Sequence, residues 1–231
     1  MASENNTQSL RVLAAEASDG ASADIIYALF QRAVLQHNLS GDLLDFGAGK
    51  GALTTYFSLS RRFRSVTAVD LMSRPAGLSK AIKWMSLDLN ESIHASDATF
   101  DVIAAAEIIE HLENPRAIAR EWYRLLRPGG TLLISTPNNE SWRSILALIF
   151  RGHYAHFGEH SYPAHITPLL RKDMERILCE AGFSTPKFFY TNMGIVPKMP
   201  FLWQTISFGL LKGLRFSDNI LAVAKKPDGS C

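Results

Sequence analysis

With 231 residues the chain is long enough for one α/β domain with a sizeable core and short for two independent ones. Its 24 lysines and arginines nearly balance 22 aspartates and glutamates, which leaves no large basic field for a nucleic-acid backbone and excludes nucleic acid as a partner class. Cys179 and Cys231 form no C-x-x-C pair and the N-terminal stretch has no apolar signal core, so a soluble protein of the reducing cytoplasm is expected, as a monomer or homodimer.

In chain order, SADIIYALFQRAVLQHN predicts an amphipathic helix from Ser22 to Asn38, with Ile25, Leu29 and Ala33 on one face and Ser22 as its N-cap. Short apolar runs then alternate with helical stretches, the pattern of β-α-β units on a parallel sheet. Strands are expected at Asp42–Phe46, Ser65–Val69, Ile82–Ser86, Phe100–Ala105 and Thr131–Ser135. Beyond the fifth strand, SWRSILALIFRG predicts an apolar helix and Leu169–Ala181 a second one that stops at Gly182. PKFFYTN and NILAVAKK predict two closing strands around an apolar insert, GIVPKMPFLWQTISFGLLKGLRFSD.

The turn after the first strand reads DFGAGKGA. Gly47, Gly49 and Gly51 allow a sharp turn and let a ligand approach the backbone, beside the free N–H groups of a helix N-terminus. The same spacing satisfies the dinucleotide pattern, so the loop alone leaves a nicotinamide-dependent reductase open. Asp70 ends the second strand about twenty residues later, where a carboxylate can accept both hydroxyls of a ribose. Asp88 follows the third strand, next to where an adenine would lie. Each acid alone fits a helix N-cap or a solvated surface. Together, at the carboxyl ends of neighbouring strands, they face the one crevice where open α/β sheets bind ligands.

DLLDFGAGKG, VTAVD, MSLDLNE, FDVIAAAEIIEHLENP and RLLRPGGTLLISTPN resemble the successive motifs of class I S-adenosylmethionine-dependent methyltransferases over about residues 40 to 140. The branch most similar holds the ubiquinone-biosynthesis O-methyltransferases and many bacterial small-molecule methyltransferases. The resemblance implies an α/β, Rossmann-like sheet of seven strands, mostly parallel with the last antiparallel, and helices on both faces. It implies one methyltransferase domain over residues 1–231: a helical cap to residue 40, a cofactor-binding core at 41–137, and acceptor-side helices, a lid and two strands at 138–231.

It also implies S-adenosylmethionine as cofactor and S-adenosylhomocysteine as product. Gly47, Ala48 and Gly49 would pass the methionine moiety, with Asp45 near its amino group. Asp70, with Leu71 beside it, would hold the ribose, Asp88 and Leu89 the adenine, and Glu107 would sit beneath the cofactor. The acceptor would be a small molecule, with a hydroxyl or carboxyl oxygen of an apolar, lipid-like or natural-product metabolite placed first. A nitrogen or carbon acceptor, or a cofactor-binding regulatory protein without catalysis, are the alternatives.

Methyl transfer asks the protein mainly to align and desolvate the nucleophile, and a hydroxyl acceptor adds a use for a neutral histidine as base. In EIIEH, residues Glu107, Glu110 and His111 stand at i, i+3 and i+4 and would share a helix face. In the resembled quinone O-methyltransferases a matching trio is associated with a divalent cation, but the motif is widespread in relatives without one, and no metal is assigned. FRGHYAHFGEHSYPAHITP holds four of the seven histidines, at 153, 156, 160 and 165, with Gly152, Gly158 and Pro163 breaking any helix that could align them. A structural zinc is set aside for want of a tetrahedral set.

The stretch is then either a solvated loop or, as preferred here, a lid over the acceptor. His165 and His156 are the candidate bases beside His111, and His153, Tyr154, Phe157, Trp142 and Tyr162 the candidate acceptor contacts. His165 is expected to be fixed by a helix starting at Thr167-Pro168, and residues 153–157 to be mobile. The apolar helix and insert, flanked by Arg143, Arg151, Lys198, Lys212 and Arg215, are either core or dimer surface, or else a greasy acceptor pocket or a membrane-surface face.

Overall fold

The computed structural model describes residues 2–18 and 20–229, so that Cys231 lies outside the described residues. Two helices, α1 (Ala2–Ala17) and α2 (Asp24–Gln36), precede β1 (Gly41–Phe46), α3 (Ala52–Leu59), β2 (Phe63–Asp70), β3 (Lys83–Ser86) and β4 (Phe100–Ala106). Then come α4 (Pro115–Leu125), β5 (Leu126–Pro137), α5 (Trp142–Arg151), α6 (Arg171–Glu180), β6 (Lys187–Tyr190), the short α7 (Trp203–Ile206) and β7 (Asn219–Lys225).

The seven strands form one sheet in the order β3-β2-β1-β4-β5-β7-β6. β1 pairs in parallel with β2 and β4, and β7 runs antiparallel between β5 and β6. This is the Rossmann-like methyltransferase arrangement. Strand order reverses between β1 and β4, so their carboxyl ends flank the crevice where such sheets take ligands.

Alternation along the strands divides the core in two. Leu44, Phe46, Ile103 and Ala105 pack with Trp122 of α4 and Met174 and Leu178 of α6 on one face. Leu43, Val102 and Ala104 pack with Phe30 and Val34 of α2 and Phe57 of α3 on the other. The inner strands are buried on both faces, which is why they read as continuous apolar runs.

Several boundaries differ from expectation. α2 starts at Asp24 with Ala23 as N-cap, because the Ser22 amide donates to the Tyr27 hydroxyl (2.9 Å) and its side chain makes no cap. β5 reaches back through Gly129 and Gly130 to Leu126, since pairing with β4 already begins at Phe100. α6 starts at Arg171, two residues after the expected Leu169, with the Asp173 carboxylate accepting from the Leu170 amide (3.1 Å). Thr167 therefore initiates no helix; its hydroxyl donates to Leu112 O (2.7 Å) instead. α5 ends as the sequence suggests, at Gly152 with φ of 80°. Among the described residues, no helix is long and apolar enough to cross a membrane.

Candidate active site

The turn after β1 is held open by its glycines. Gly49 has φ of 52°, and a Cβ there would stand 2.2 Å from the carbonyl oxygen of Gly20. That carbonyl accepts from the Lys50 amide (2.8 Å), so the α1–α2 linker is laid directly on the loop. Asp70 Oδ2 accepts from the Gly49 amide (2.7 Å) and Oδ1 from the Met72 amide (2.8 Å), tying the end of β2 to the same turn. Below them Asp45 is fully buried and accepts from the Thr54 hydroxyl; burial pushes its carboxyl up to about 7.

A cavity of about 510 Å³, within the range of cofactor and substrate sites, opens between this turn, the ends of β2 and β4, and the inner side of α1. Asp45, Gly47, Ala48, Gly49, Asp70, Leu71, Leu89 and Glu107 all line it. Asp88 does not, although the adjacent Leu89 and Asn90 do. Asp88 Oδ2 is held by the Arg11 guanidinium (2.8 Å), which also binds Glu113 (2.7 Å) and Glu91 (3.2 Å). Arg11 is the only lysine or arginine among the described residues that line the cavity.

At the β4 end, Glu107 takes φ of 50°, which breaks the helix register that EIIEH would need, and only Ile109–His111 turn as a 3-10 helix. Glu107 Oε2 accepts from Asn219 Nδ2 (2.9 Å), and burial pushes its carboxyl up to about 7. Its Oε1 is buried with no partner. An orphaned buried acceptor costs about 1–3 kcal/mol unless a donor arrives. Glu110 is wholly buried against Thr136, whose hydroxyl donates to it (3.1 Å), and burial beside Glu107 raises its carboxyl well above the usual range.

The expected trio therefore does not assemble. Glu110 and His111 meet His165 instead, each bringing one ligand-type atom to within 4.8 Å of the others, a set that could hold a metal ion. A carboxyl that burial keeps protonated is a weak ligand, which speaks against that use of it.

The histidine-rich segment is anchored at its C-terminal end. The Glu110 carbonyl accepts from the Ile166 (3.0 Å) and Thr167 (2.9 Å) amides. His165 Nδ1 faces the His156 carbonyl at 2.7 Å, and since a carbonyl only accepts, Nδ1 carries the proton and Nε2 the lone pair. His111 Nδ1 faces the Ala164 carbonyl (2.9 Å), and its ring also meets the carbonyl of Glu107. His156 Nε2 lies 3.5 Å from the Arg143 guanidinium. Burial holds all three imidazoles below their usual range, His111 and His156 at about 4.

His111, His156, His165 and Tyr162 line the cavity, but Trp142, His153, Tyr154 and Phe157 do not. Trp142 is half exposed under the Arg215 guanidinium (5.7 Å). His153 turns back to the Tyr154 carbonyl (2.9 Å), and Phe157 backs the His165 ring at 5.4 Å, with Tyr154 behind it at 6.4 Å. Conversely Arg11, Gly20, Tyr27, Pro137 and Asn219 line the cavity unforeseen. Asn219 was within reach of reasoning, since it pairs with Pro137 where β7 enters the sheet beside β5. Arg11 was not, because no local pattern marks its contacts.

Carboxyl-bearing walls, a close glycine turn and a single basic side chain among the described residues that line the cavity fit a cationic sulfonium with an α-amino group. Fold and site together define a class I S-adenosylmethionine-dependent methyltransferase. A family model described as a methyltransferase domain matches residues 20–185, and the chain belongs to that family.

Among its relatives, the ubiquinone biosynthesis O-methyltransferase of Psychrobacter arcticus is 23% identical over 186 residues, 75% of this chain and 70% of that protein. The mitochondrial enzyme of that name from Rattus norvegicus is 29% identical over 161 residues, 63% of this chain but only 45% of its own length. Of solved structures, a SAM-dependent methyltransferase from Archaeoglobus fulgidus superposes with a TM-score of 0.62 at 17% identity, over 91% of this chain and 97% of that one. The 1,6-didemethyltoxoflavin-N1-methyltransferase of Burkholderia thailandensis, with S-adenosylhomocysteine bound, gives 0.57 at 20% identity, over 88% and 77%.

Proposed function

We propose that the protein methylates an oxygen of an apolar small molecule, with His165 as general base. The observation that carries this is the His165 ring, which lines the cavity with its Nδ1–H spent on the His156 carbonyl, so that Nε2 is the nitrogen left to accept a proton. The names of the relatives point to oxygen as well.

The bound cofactor supplies a methyl group on a sulfonium, whose departure leaves a neutral thioether. Asp70 and Leu71 are assigned to the ribose, Leu89 to the adenine, and Asp45 with the orphaned Glu107 Oε1 to the amino end. His165 Nε2 would take the proton of the acceptor hydroxyl, and the cofactor, when bound, would supply the methyl group that this oxygen accepts. The half-buried rings of His111 and His156 at the cavity wall would limit water around the nucleophile. An exposed thiol at Cys179 suits the cytoplasm as its compartment.

Incubation with isotopically methyl-labelled S-adenosylmethionine in a metabolite extract, followed by mass spectrometry, identifies the labelled product. An O-methyl product lost in His165→Ala supports the proposal. An N-methyl product formed equally by His165→Ala overturns it, because an amine nucleophile needs no base there.

A further inference from the structure

The outer side of the acceptor end is apolar and unpartnered. In the loop after α7, Phe208 is 95% and Leu210 83% exposed, and at the end of α5 Phe150 is 75% and Ile149 66% exposed. α5 reads WRSILALIFR yet buries only Ser144. The two segments are joined. Asn138 Nδ2 donates to Leu214 O (2.6 Å), and Asp218 Oδ2 binds both Arg143 of α5 (2.8 Å) and the Ile195 amide (3.1 Å). Trp142, under Arg215, and Ile149 are seven residues apart, hence on one side of α5.

Asp218 neutralises Arg143, and the cations left beside these apolar residues are Lys198, Lys212, Arg215 and Arg151, with Glu159 the exposed acid next in the sequence. Residues 193–217 contain Lys198, Lys212 and Arg215 and no aspartate or glutamate, and residues 141–158 contain Arg143 and Arg151 and again no acid. A second copy of the face would set cation against cation, whereas an anionic surface complements it. Apolar side chains ringed by lysine and arginine match the boundary of a bilayer with negative headgroups.

We propose that this face seats the protein on an anionic lipid surface. Phe208, Leu210, Ile149 and Phe150 enter the acyl boundary, and Lys198, Lys212 and Arg151 meet the headgroups. His156, at the cavity wall, touches Arg143 of α5, so the docked face adjoins the acceptor end. Delivery of an apolar acceptor from the bilayer rests on the methyl-transfer proposal; vesicle binding does not.

The test is co-sedimentation of the full chain with vesicles of phosphatidylcholine alone and of phosphatidylcholine mixed with phosphatidylglycerol. Binding is expected to the mixed vesicles and to weaken with salt. Lys198→Glu with Lys212→Glu reduces it about tenfold or more, and Phe208→Ser with Leu210→Ser by a similar factor. All four side chains are exposed, so the thermal midpoint stays unchanged and misfolding is excluded as a cause. Absence of binding to the mixed vesicles, or binding indifferent to both pairs of substitutions, overturns the inference. So does a dimer in sedimentation velocity that Phe208→Ser with Leu210→Ser dissolves, since it assigns the face to a second copy. Vesicle binding without any methyl acceptor removes the methyl-transfer proposal and leaves this one standing.

Discussion

Arg11, which lines the cavity, and Asp88, 77 residues away in sequence, are joined at 2.8 Å. The same guanidinium binds Glu91 and Glu113, so a single cation fastens α1 to the loops that follow β3 and β4. Leu10, Ala14 and Ala15 of α1 line the cavity, and Arg11 therefore pins one of its walls. Partly exposed ion pairs are individually weak, at most about 1 kcal/mol, which makes this a strap that can open. For Arg11→Ala, dissociation of S-adenosylhomocysteine is expected to accelerate about tenfold, the equivalent of about 1.4 kcal/mol over three pairs. Stopped-flow release kinetics measure this directly, and an unchanged rate would show that α1 does not gate exchange.

Cofactor affinity should depend on pH through Asp45 and Glu107. Burial pushes both carboxyls up to about 7, so in the free protein each is largely protonated below neutrality. A cationic ligand favours their ionised forms, and binding then expels protons. Affinity for S-adenosylmethionine is expected to rise between about pH 6 and pH 8 and to level off above. Calorimetry in buffers of different ionisation enthalpy reads the released protons. An affinity flat across that range, or equally steep in Asp45→Asn, argues against these groups as the cause.

Sheet and cofactor turn were legible because their signals are local. Continuous apolar runs mark strands buried on two faces, and Gly49 has no room for a side chain beneath the Gly20 carbonyl. Acids at the ends of β1, β2 and β4 follow from the switch in strand order. The acceptor side was less legible because its contacts are set by tertiary structure. Nothing near His165 tells that the carbonyl of Glu110 will anchor the next two amides, or that φ of 50° at Glu107 will turn EIIEH away from a helix. Asp88 carried a cofactor signature, yet its partner came from a helix whose only mark in the sequence is one arginine. Trp142 was aromatic and nearby, but helix phase sets it outward.

His165 carries the chemical step in the proposed mechanism, with Asp45 and Asp70 untouched by its removal. His165→Ala should retain S-adenosylmethionine affinity within about twofold, while turnover falls about a hundredfold, the lower range for a lost general base. The sign of the pH dependence follows from burial, which lowers the imidazole below its ordinary 6.5. The base is active when neutral, so the acid limb of the kcat profile lies below pH 6.5 and is absent in the variant. A chelator should leave turnover unchanged. Its abolition, with recovery on adding a divalent ion, would assign Glu110, His111 and His165 to a metal instead.

Glu110 makes a prediction about stability rather than turnover. Its carboxyl, buried beside Glu107, holds its proton well above the 4.5 at which an ordinary glutamate releases it. Between those limits the native state binds a proton that the unfolded chain has lost, and stability falls as pH rises, by up to about 1.4 kcal/mol per unit. A neutral amide has no such dependence and can still accept from the Thr136 hydroxyl. Glu110→Gln is therefore expected to raise the thermal midpoint by several degrees near pH 9, with the gain shrinking towards pH 5. Thermal unfolding of both proteins across that range checks it. A difference that stayed constant with pH, or grew towards acid, would mean that the buried carboxyl is ionised and paired.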